Sequence, residues 1–240
     1  ANTPTTNSFS DFSGSIQSNI SPNTTSGFSI VSYTGTGANA TVGHGLGVAP
    51  KVVILKDRDN STSWVVGGDA IGTTDNNYLL LNETNALDSA STGFQSFSTT
   101  TVGLGSDTWF NGSSRNYIAY CFAEKKGFSK FGSYTGNGNA DGTFIYTGFK
   151  PAWLLVKNTS IARDWQIFDN KRLGYNVDNN YLFANLSDAE GTADRVDILS
   201  NGFKWRTDAN TYNASGNNYI YMAFAENPLV TSAGIPSCAR

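Results

Sequence analysis

The sequence has little of the chemistry on which most enzymes depend. Its 240 residues include one histidine, two cysteines and one methionine, and only 15% of them are charged. A single histidine excludes a multi-histidine metal site and leaves one candidate base for a Ser-His pair. That residue, His44, lies among glycines, which predicts a solvated loop side chain. We therefore expect no catalytic residues, no metal site and no cofactor.

Low charge and the absence of long apolar runs exclude two kinds of partner. The formal net charge is −3, and no basic cluster exceeds Lys125-Lys126, which argues against nucleic-acid binding. No apolar run reaches 18 residues, which argues against membrane insertion. Two cysteines do not make a disulfide framework. Cys121 lies in an apolar run and is expected to be a small buried filler, whereas Cys238 lies near the C-terminus.

The most apolar segment of the chain occurs twice. Tyr117–Glu124 reads YIAYCFAE, and 102 positions later Tyr219–Glu226 reads YIYMAFAE. Short runs rich in β-forming residues predict strands that are covered on both faces. We infer that the chain contains two copies of one unit, and that each copy is closed by its most buried strand.

Other segments repeat in the same order, with turn residues between them. Each copy spans about 100 residues and holds seven or eight short strands, which is typical of a β-sandwich or jelly roll. The matched pairs are Gly27–Tyr33 with Gly127–Tyr134, Ala40–Val42 with Thr143–Tyr146, Lys51–Lys56 with Lys150–Lys157, Trp64–Val66 with Trp165–Ile167, Asp75–Asn82 with Asp178–Asn185, and Gly93-Phe94 with Gly202-Phe203.

The pattern predicts an all-β protein of two tandem sandwich-like or jelly-roll-like units that arose by internal duplication. We place the first unit at 27–126, the second at 127–228 and a C-terminal tail at 229–240. Residues 1–26 are rich in Ser, Thr and Asn, which indicates an extended arm or linker. A second interpretation is an assembly arm that docks on a neighbouring subunit. Its docking residues would be Phe9, Phe12, Ile16 and Ile20.

Aromatic residues found in only one copy are freer to serve recognition than those that both copies share. Two such clusters precede turn sequences, which predicts that their side chains lie near loop tips. An exposed ring beside amide groups suits a sugar, since the ring covers the apolar sugar face and the amides bond hydroxyls. The alternative is that these rings cap the ends of the sandwich. The candidate receptor-binding residues are Trp109, Phe110, Asn111, Tyr175, Trp205, Tyr212 and Asn213.

Acidic residues offer a weaker, enzymatic alternative. Glycan hydrolysis needs two carboxylates a few ångströms apart. The segment Asp188–Asp197 is the best source of such a pair, because it lies where the second copy diverges from the first. Asp194 and Asp197 are therefore the residues on which a glycan hydrolase would depend.

Several motifs occur in combination along the chain. They are Gly-Phe-Ser before Tyr-Thr-Gly-x-Gly, Val48-Ala49-Pro50-Lys51, Asn77-Tyr78-Leu79, Lys130–Gly138 and Tyr221–Pro228. In this combination the chain resembles the C-terminal β domain of tail-fibre-like structural proteins of tailed bacteriophages. The resemblance covers about residues 27–240 and carries over no functional residues.

The resemblance implies a component of the virion surface that attaches to a host. Its partners would be a host cell-surface glycan or protein and other virion subunits, and a homotrimer is expected by analogy with fibres. The alternative is a self-assembling structural subunit, such as a capsid decoration or filament protein, that uses residues 1–26 for assembly. A glycan hydrolase is the third possibility.

Overall fold

The computed structural model describes residues 9–72, 75–172, 176 and 179–227. Nearly all of its regular structure is antiparallel β-sheet, which confirms the predicted all-β class. The described residues fall into two compact units. Unit 1 lies within Ala1–Leu81 and Leu87–Ala123, and unit 2 lies within Asn82–Ala86 and Glu124–Arg240.

Unit 1 has a large sheet and a small one. In chain order its strands are β1 (Phe9–Asp11), β2 (Ser18–Asn23), β3 (Phe28–Thr34), β4 (Ala40–Gly43), β5 (Val52–Asp57), β6 (Val65–Gly67), β7 (Asn77–Leu80), β8 (Asp88–Ser89), β9 (Phe94–Phe97), β10 (Thr101–Leu104) and β11 (Asn116–Phe122). A four-residue helix, α1 (Thr108–Asn111), precedes β11. The large sheet has the order β1-β2-β3-β11-β5-β6-β7-β8, and the small sheet has the order β4-β10-β9.

Unit 2 is also built from a large and a small sheet. Its strands are β12 (Ser129–Thr135), β13 (Phe144–Tyr146), β14 (Trp153–Asn158), β15 (Gln166–Asp169), β16 (Asn179–Phe183), β17 (Gly191–Ala193), β18 (Val196–Leu199), β19 (Gly202–Trp205) and β20 (Asn218–Phe224). The large sheet has the order β12-β20-β14-β15-β16-β17, and the small sheet has the order β13-β19-β18.

The core of unit 1 lies between its two sheets. Alternate residues of the central strand β11 point inward, so Tyr117, Ala119 and Cys121 are buried. They belong to the same apolar cluster as Phe94 and Leu104 of the small sheet. Cys121 is 1% exposed, which confirms its predicted role as a buried filler. Cys238 lies outside the described residues.

The repeated strand is covered on both faces in only one of the units. In β20, the five residues from Tyr219 to Ala223 are all buried, as predicted. In β11, by contrast, Ile118, Tyr120 and Phe122 on the outer face are only partly buried. The expectation of a doubly covered strand is therefore wrong for β11, and unit 1 keeps an accessible apolar surface on its large sheet.

Strand order relates the two units and corrects one of the sequence matches. From β3 onward, the large sheet of unit 1 has the same order as that of unit 2, and the two small sheets also agree. Phe203 lies in β19, which takes the place of β10. Phe94 lies in β9, whose counterpart is β18. The match of Gly93-Phe94 with Gly202-Phe203 is therefore wrong, because it joins strands with different places in the sheet.

The segment predicted as an arm is part of unit 1. In β2, Ile20 lies opposite Val31 of β3 and is fully buried. Ile16 is 7% exposed, and its amide donates to the Thr41 carbonyl over 3.0 Å. Ser, Thr and Asn surround Ile16 and Ile20 in the sequence, but the apolar side chains of the two isoleucines complete the core. The extended-arm interpretation is therefore wrong for β2, and Ile16 and Ile20 are core residues rather than docking residues.

Replacing Ile20 by alanine should destabilise unit 1 by about 2–5 kcal/mol, because it leaves a cavity in a packed core. Urea unfolding followed by circular dichroism measures the change. Phe12→Ala is the matched control, since its ring is 72% exposed and its removal should leave the unfolding midpoint unchanged. Equal midpoints for wild type and Ile20→Ala would contradict the placement of β2 in the core.

Candidate functional site

The turn before β11, where three of the recognition candidates lie, is held inside unit 1. The carboxylate of Asp107 accepts the Trp109 amide over 2.8 Å and so caps α1. The helical turn directs Phe110 and Asn111 inward, where they are 1% and 0% exposed. Trp109 is partly buried and packs against the core cluster of unit 1.

A stacked pair of tyrosines anchors this turn. The rings of Tyr33 and Tyr117 are 5.1 Å apart and inclined by 12°. The Tyr33 hydroxyl donates to the Phe110 carbonyl and the Tyr117 hydroxyl to the Thr108 carbonyl, both over 2.5 Å. Burial raises the pKa of Tyr33 well above its ordinary value, so the hydroxyl remains a donor.

Asn111 links the same turn to the loop after β3. Its Oδ1 atom accepts the Thr36 amide over 2.9 Å, and its Nδ2 atom donates to the Ala38 carbonyl over 2.6 Å. A buried amide side chain needs partners for both ends, and this loop supplies them. Asn111 is therefore a structural residue.

Unit 2 contains the same arrangement. The rings of Tyr134 and Tyr219 stack at 4.9 Å, and the Tyr134 hydroxyl donates to the Tyr212 carbonyl over 2.7 Å. Asn213 accepts the Asn137 amide over 3.1 Å and donates to the Asn139 carbonyl over 2.9 Å. Tyr212 is 4% exposed and Asn213 is fully buried.

The prediction that these aromatic residues stand exposed at loop tips is therefore wrong. Phe110 and Tyr212 are core residues, and Asn111 and Asn213 have their amides engaged within the protein. Trp205 is fully buried in β19. Tyr175 lies outside the described residues. The alternative, that the rings serve the packing of the sandwich, is the one that their burial supports.

The single histidine is buried rather than solvated, which corrects the sequence-based expectation. His44 Nδ1 accepts the Leu46 amide over 3.2 Å, and Nε2 lies 3.2 Å from the Ser98 carbonyl. This pair of contacts fits a neutral ring with its proton on Nε2. Burial lowers the pKa of His44, against the opposing effects of the Ser98 carbonyl and the Asp11 charge. His44 is therefore a structural residue.

Two of the acidic residues in the segment Asp188–Asp197 are engaged in ion pairs. Asp197 pairs with Arg206, and Glu190 pairs with Arg172. Within the described ranges, no group of three or more His, Cys, Asp and Glu residues is arranged to hold a metal ion. In the same part of the chain, no helix has the length and apolar character that a membrane crossing requires.

The small sheet of unit 2 carries two exposed aromatic rings on its edge strand, β13. Ile145 points into the core and is 6% exposed, so Phe144 and Tyr146 point outward, where they are 44% and 62% exposed. A Cβ atom at Gly202 would lie 3.1 Å from the Phe144 ring, and one at Gly148 would lie 3.5 Å from the Tyr146 hydroxyl. Both rings therefore lie close to glycine backbone.

Charged side chains border the two rings. Lys204 lies opposite Phe144 in the sheet register and binds Asp141 over 2.5 Å. Arg206 lies 3.6 Å from Asp141 and also pairs with Asp197. The Lys204 ammonium lowers the pKa of the Asp141 carboxyl, which is therefore ionised at neutral pH. We call Phe144, Tyr146, Asp141, Lys204 and Arg206 the aromatic platform.

The platform combines apolar ring surface with hydrogen-bonding groups, and each of its two cations has a carboxylate partner, Asp141 for Lys204 and Asp197 for Arg206. Such a surface can cover the apolar face of a sugar and bond its hydroxyl groups. The sequence itself indicates the platform through aromatic residues that occur in only one of the two units. Ile145 of β13 takes the place of Val42 of β4. The residues on either side of Val42 are Thr41 and Gly43, so only unit 2 has aromatic residues at these positions.

Acidification should destabilise the protein through His44. The unfolded chain binds a proton near pH 6.5, whereas the folded chain resists protonation until a lower pH. The unfolded state therefore binds more protons below pH 6.5, and the free energy of unfolding falls as the pH falls. From pH 7 to pH 5 the loss is at most about 2 kcal/mol, the cost of keeping one such ring neutral.

The control for this prediction is His44→Asn, which keeps an acceptor for the Leu46 amide but does not titrate. Urea unfolding of both proteins at several pH values isolates the histidine, because the carboxylates contribute equally to each. Parallel pH dependence in the two proteins would contradict the assignment.

Comparison with known proteins places the chain in a family. No curated protein and no solved structure matches it. A family model described as "Domain of unknown function (DUF7483)" matches residues 3–228. Because the match covers nearly the whole chain, the protein belongs to the DUF7483 family.

Proposed function

We propose that this protein is a non-catalytic adhesion module of a virion surface, and that it binds a host cell-surface glycan through the aromatic platform. The observation that carries the proposal is the exposure of Phe144 and Tyr146 on one face of β13, beside Asp141, Lys204 and Arg206. The viral setting follows from the resemblance to tail-fibre-like proteins, with a homotrimer as the proposed assembly.

The exposed rings contribute little to the stability of unit 2. Burying a side chain such as Phe stabilises a fold by about 1.5–3 kcal/mol, and an exposed ring forgoes much of that gain. Phe144 and Tyr146 alternate with the buried Ile145, so the strand would keep its inward residue with polar side chains at both outer positions. A role in binding accounts for aromatic residues at these two positions.

The charged residues of the aromatic platform favour an uncharged sugar. Lys204 and Arg206 each have a carboxylate partner, so the platform offers hydrogen bonds without an excess of either charge. A neutral hexose matches this surface better than an acidic one does, because an added carboxylate would compete with Asp141 and Asp197.

The contacts of the candidate base and the candidate acid support a binding role over catalysis. His44 has both ring nitrogens within hydrogen-bonding distance of backbone groups, and Asp197 is paired with Arg206.

We also propose that the two units arose by duplication. The shared strand order and the repeated tyrosine and asparagine contacts support this origin.

Removal of both rings in Phe144→Ala/Tyr146→Ala should weaken binding to host cells and to neutral glycans on an array by at least about tenfold, since ring contacts contribute most of the apolar surface. The fold should remain intact, because neither ring is in the core. Val48→Ala is the matched control, since it removes an exposed apolar side chain from unit 1. Unchanged binding by the folded double variant would refute the platform as the adhesion site.

A structural subunit is the second candidate function, and the edge strand β1 favours it. Phe9 and Phe12 are 55% and 72% exposed at the end of the large sheet of unit 1. Exposed edge strands with apolar side chains readily pair with other chains. These two residues remain candidates for assembly, whereas Ile16 and Ile20 do not.

Phe9→Ser/Phe12→Ser tests the assembly role without removing β2 from the core. If β1 mediates assembly, this variant should be monomeric by light scattering under conditions in which the wild type is oligomeric, and its binding per subunit to host cells should persist. The same oligomeric state in both proteins would argue against β1 as the assembly surface.

A further inference from the structure

The accessible outer face of the large sheet in unit 1 contains an open groove of about 580 Å³. A cavity of this size lies in the range of small-ligand sites. The groove is separate from the aromatic platform, which belongs to unit 2. Its lining includes Ile30, Ser32, Arg58, Ile118 and Tyr120.

The sheet register sets the arrangement of the groove. One rung across three strands aligns Asn19 of β2, Ser32 of β3 and Ile118 of β11. The adjacent rung on this face aligns Ser21, Ile30 and Tyr120. Polar side chains thus lie on the β2 side, and an apolar surface lies towards the centre of the sheet.

Two neighbouring aromatic rings stack with Tyr120, the aromatic side chain that lines the groove. The Tyr120 ring stacks with Phe28 at a centroid distance of 6.3 Å and an angle of 9°, and with Trp64 at 6.4 Å and 24°. Tyr120 therefore has aromatic contacts that limit its rotamers, and it remains only partly buried. A side chain fixed in this way loses little entropy when a ligand packs against it.

Arg58 gives the groove its charge. The residue is exposed, and its guanidinium forms no ion pair with a carboxylate in the described part of the chain. The acidic neighbours in the sequence are engaged elsewhere, since Asp57 binds Arg115 over 3.1 Å and Asp59 accepts the Asn116 amide over 2.7 Å. None of the groove-lining residues is acidic. The groove therefore presents one uncompensated positive charge beside an apolar surface.

We propose that this groove binds an acidic sugar, with the carboxylate on Arg58 and the apolar face of the ring against Tyr120. A guanidinium binds a carboxylate through two parallel hydrogen bonds, which gives both affinity and orientation. The side chains of Asn19 and Ser32 supply hydrogen-bonding groups for sugar hydroxyls at the opposite side.

A glycan suits the groove better than an acidic peptide does. Extended peptides bind sheets mainly by main-chain pairing at an edge. The groove lies across β2, β3 and β11, where β3 and β11 have paired strands on both sides. Recognition must therefore depend on side chains and ring surface, which a sugar uses well.

Calorimetric titration of the full chain with a trisaccharide of galacturonic acid tests the proposal. The matched probe is the same trisaccharide with its carboxylates reduced to alcohols. We expect the acidic sugar to bind at least about tenfold more tightly, and we expect Arg58→Ala to remove most of that difference. Arg58→Lys should give an intermediate affinity, because it keeps the charge but loses the planar pair of donors.

Two controls separate the groove from other effects. Lys126→Ala removes a positive charge from another exposed position and should leave the affinity unchanged. Phe144→Ala/Tyr146→Ala should also leave it unchanged, so failure of the platform and failure of the groove give different results.

Several outcomes would overturn the proposal. They are equal binding of the two sugars, no binding of either, an unchanged affinity in Arg58→Ala, or an equal loss in Lys126→Ala. Arg58-dependent binding of a glutamate-rich peptide in place of the trisaccharide would overturn the choice of a glycan.

Discussion

A stacked pair of tyrosines joins the central strands of each unit to the turn that precedes the last strand. Tyr33 and Tyr117 in unit 1, and Tyr134 and Tyr219 in unit 2, stack within the core and donate their hydroxyl protons to turn carbonyls. Aromatic stacking is worth about 0.5–1.5 kcal/mol beyond burial, and each hydrogen bond about 1 kcal/mol. The larger effect is geometric, because these contacts fix an otherwise irregular turn against the sheet.

This constraint determines where a binding surface can lie. Asn111 and Asn213 extend the tyrosine contacts to the neighbouring loop, so the side chains in that part of each unit are used to hold two loops together. A buried amide that lost one partner would carry a desolvation cost of about 1–3 kcal/mol. Such residues cannot turn outward to meet a ligand. The outer faces and edges of the sheets are left for recognition, and both proposed sites lie there.

The all-β class could be predicted because alternating and continuous apolar runs report local structure directly. The roles of Asn111 and Trp205 could not. Asn-Gly is turn chemistry, and nothing local shows that the Asn111 side chain meets Thr36 and Ala38. Trp205 lies in β19, which takes the place of β10, where Leu104 is also fully buried, and no local pattern predicts this correspondence of strands. Only the pairing of strands shows which residues of the two units correspond.

Differences at corresponding positions of the two units account for the groove in unit 1 and the platform in unit 2. On the outer face of the central strand, unit 1 has the partly buried Tyr120, whereas unit 2 has Met222, which is 4% exposed. On the edge of the small sheet, the Thr41 carbonyl of unit 1 is paired with the Ile16 amide, whereas β13 carries Phe144 and Tyr146. Each unit thus leaves accessible a surface that the other covers or lacks. Two units that share a strand order can therefore present different proposed binding surfaces without any change to the tyrosine contacts within each unit.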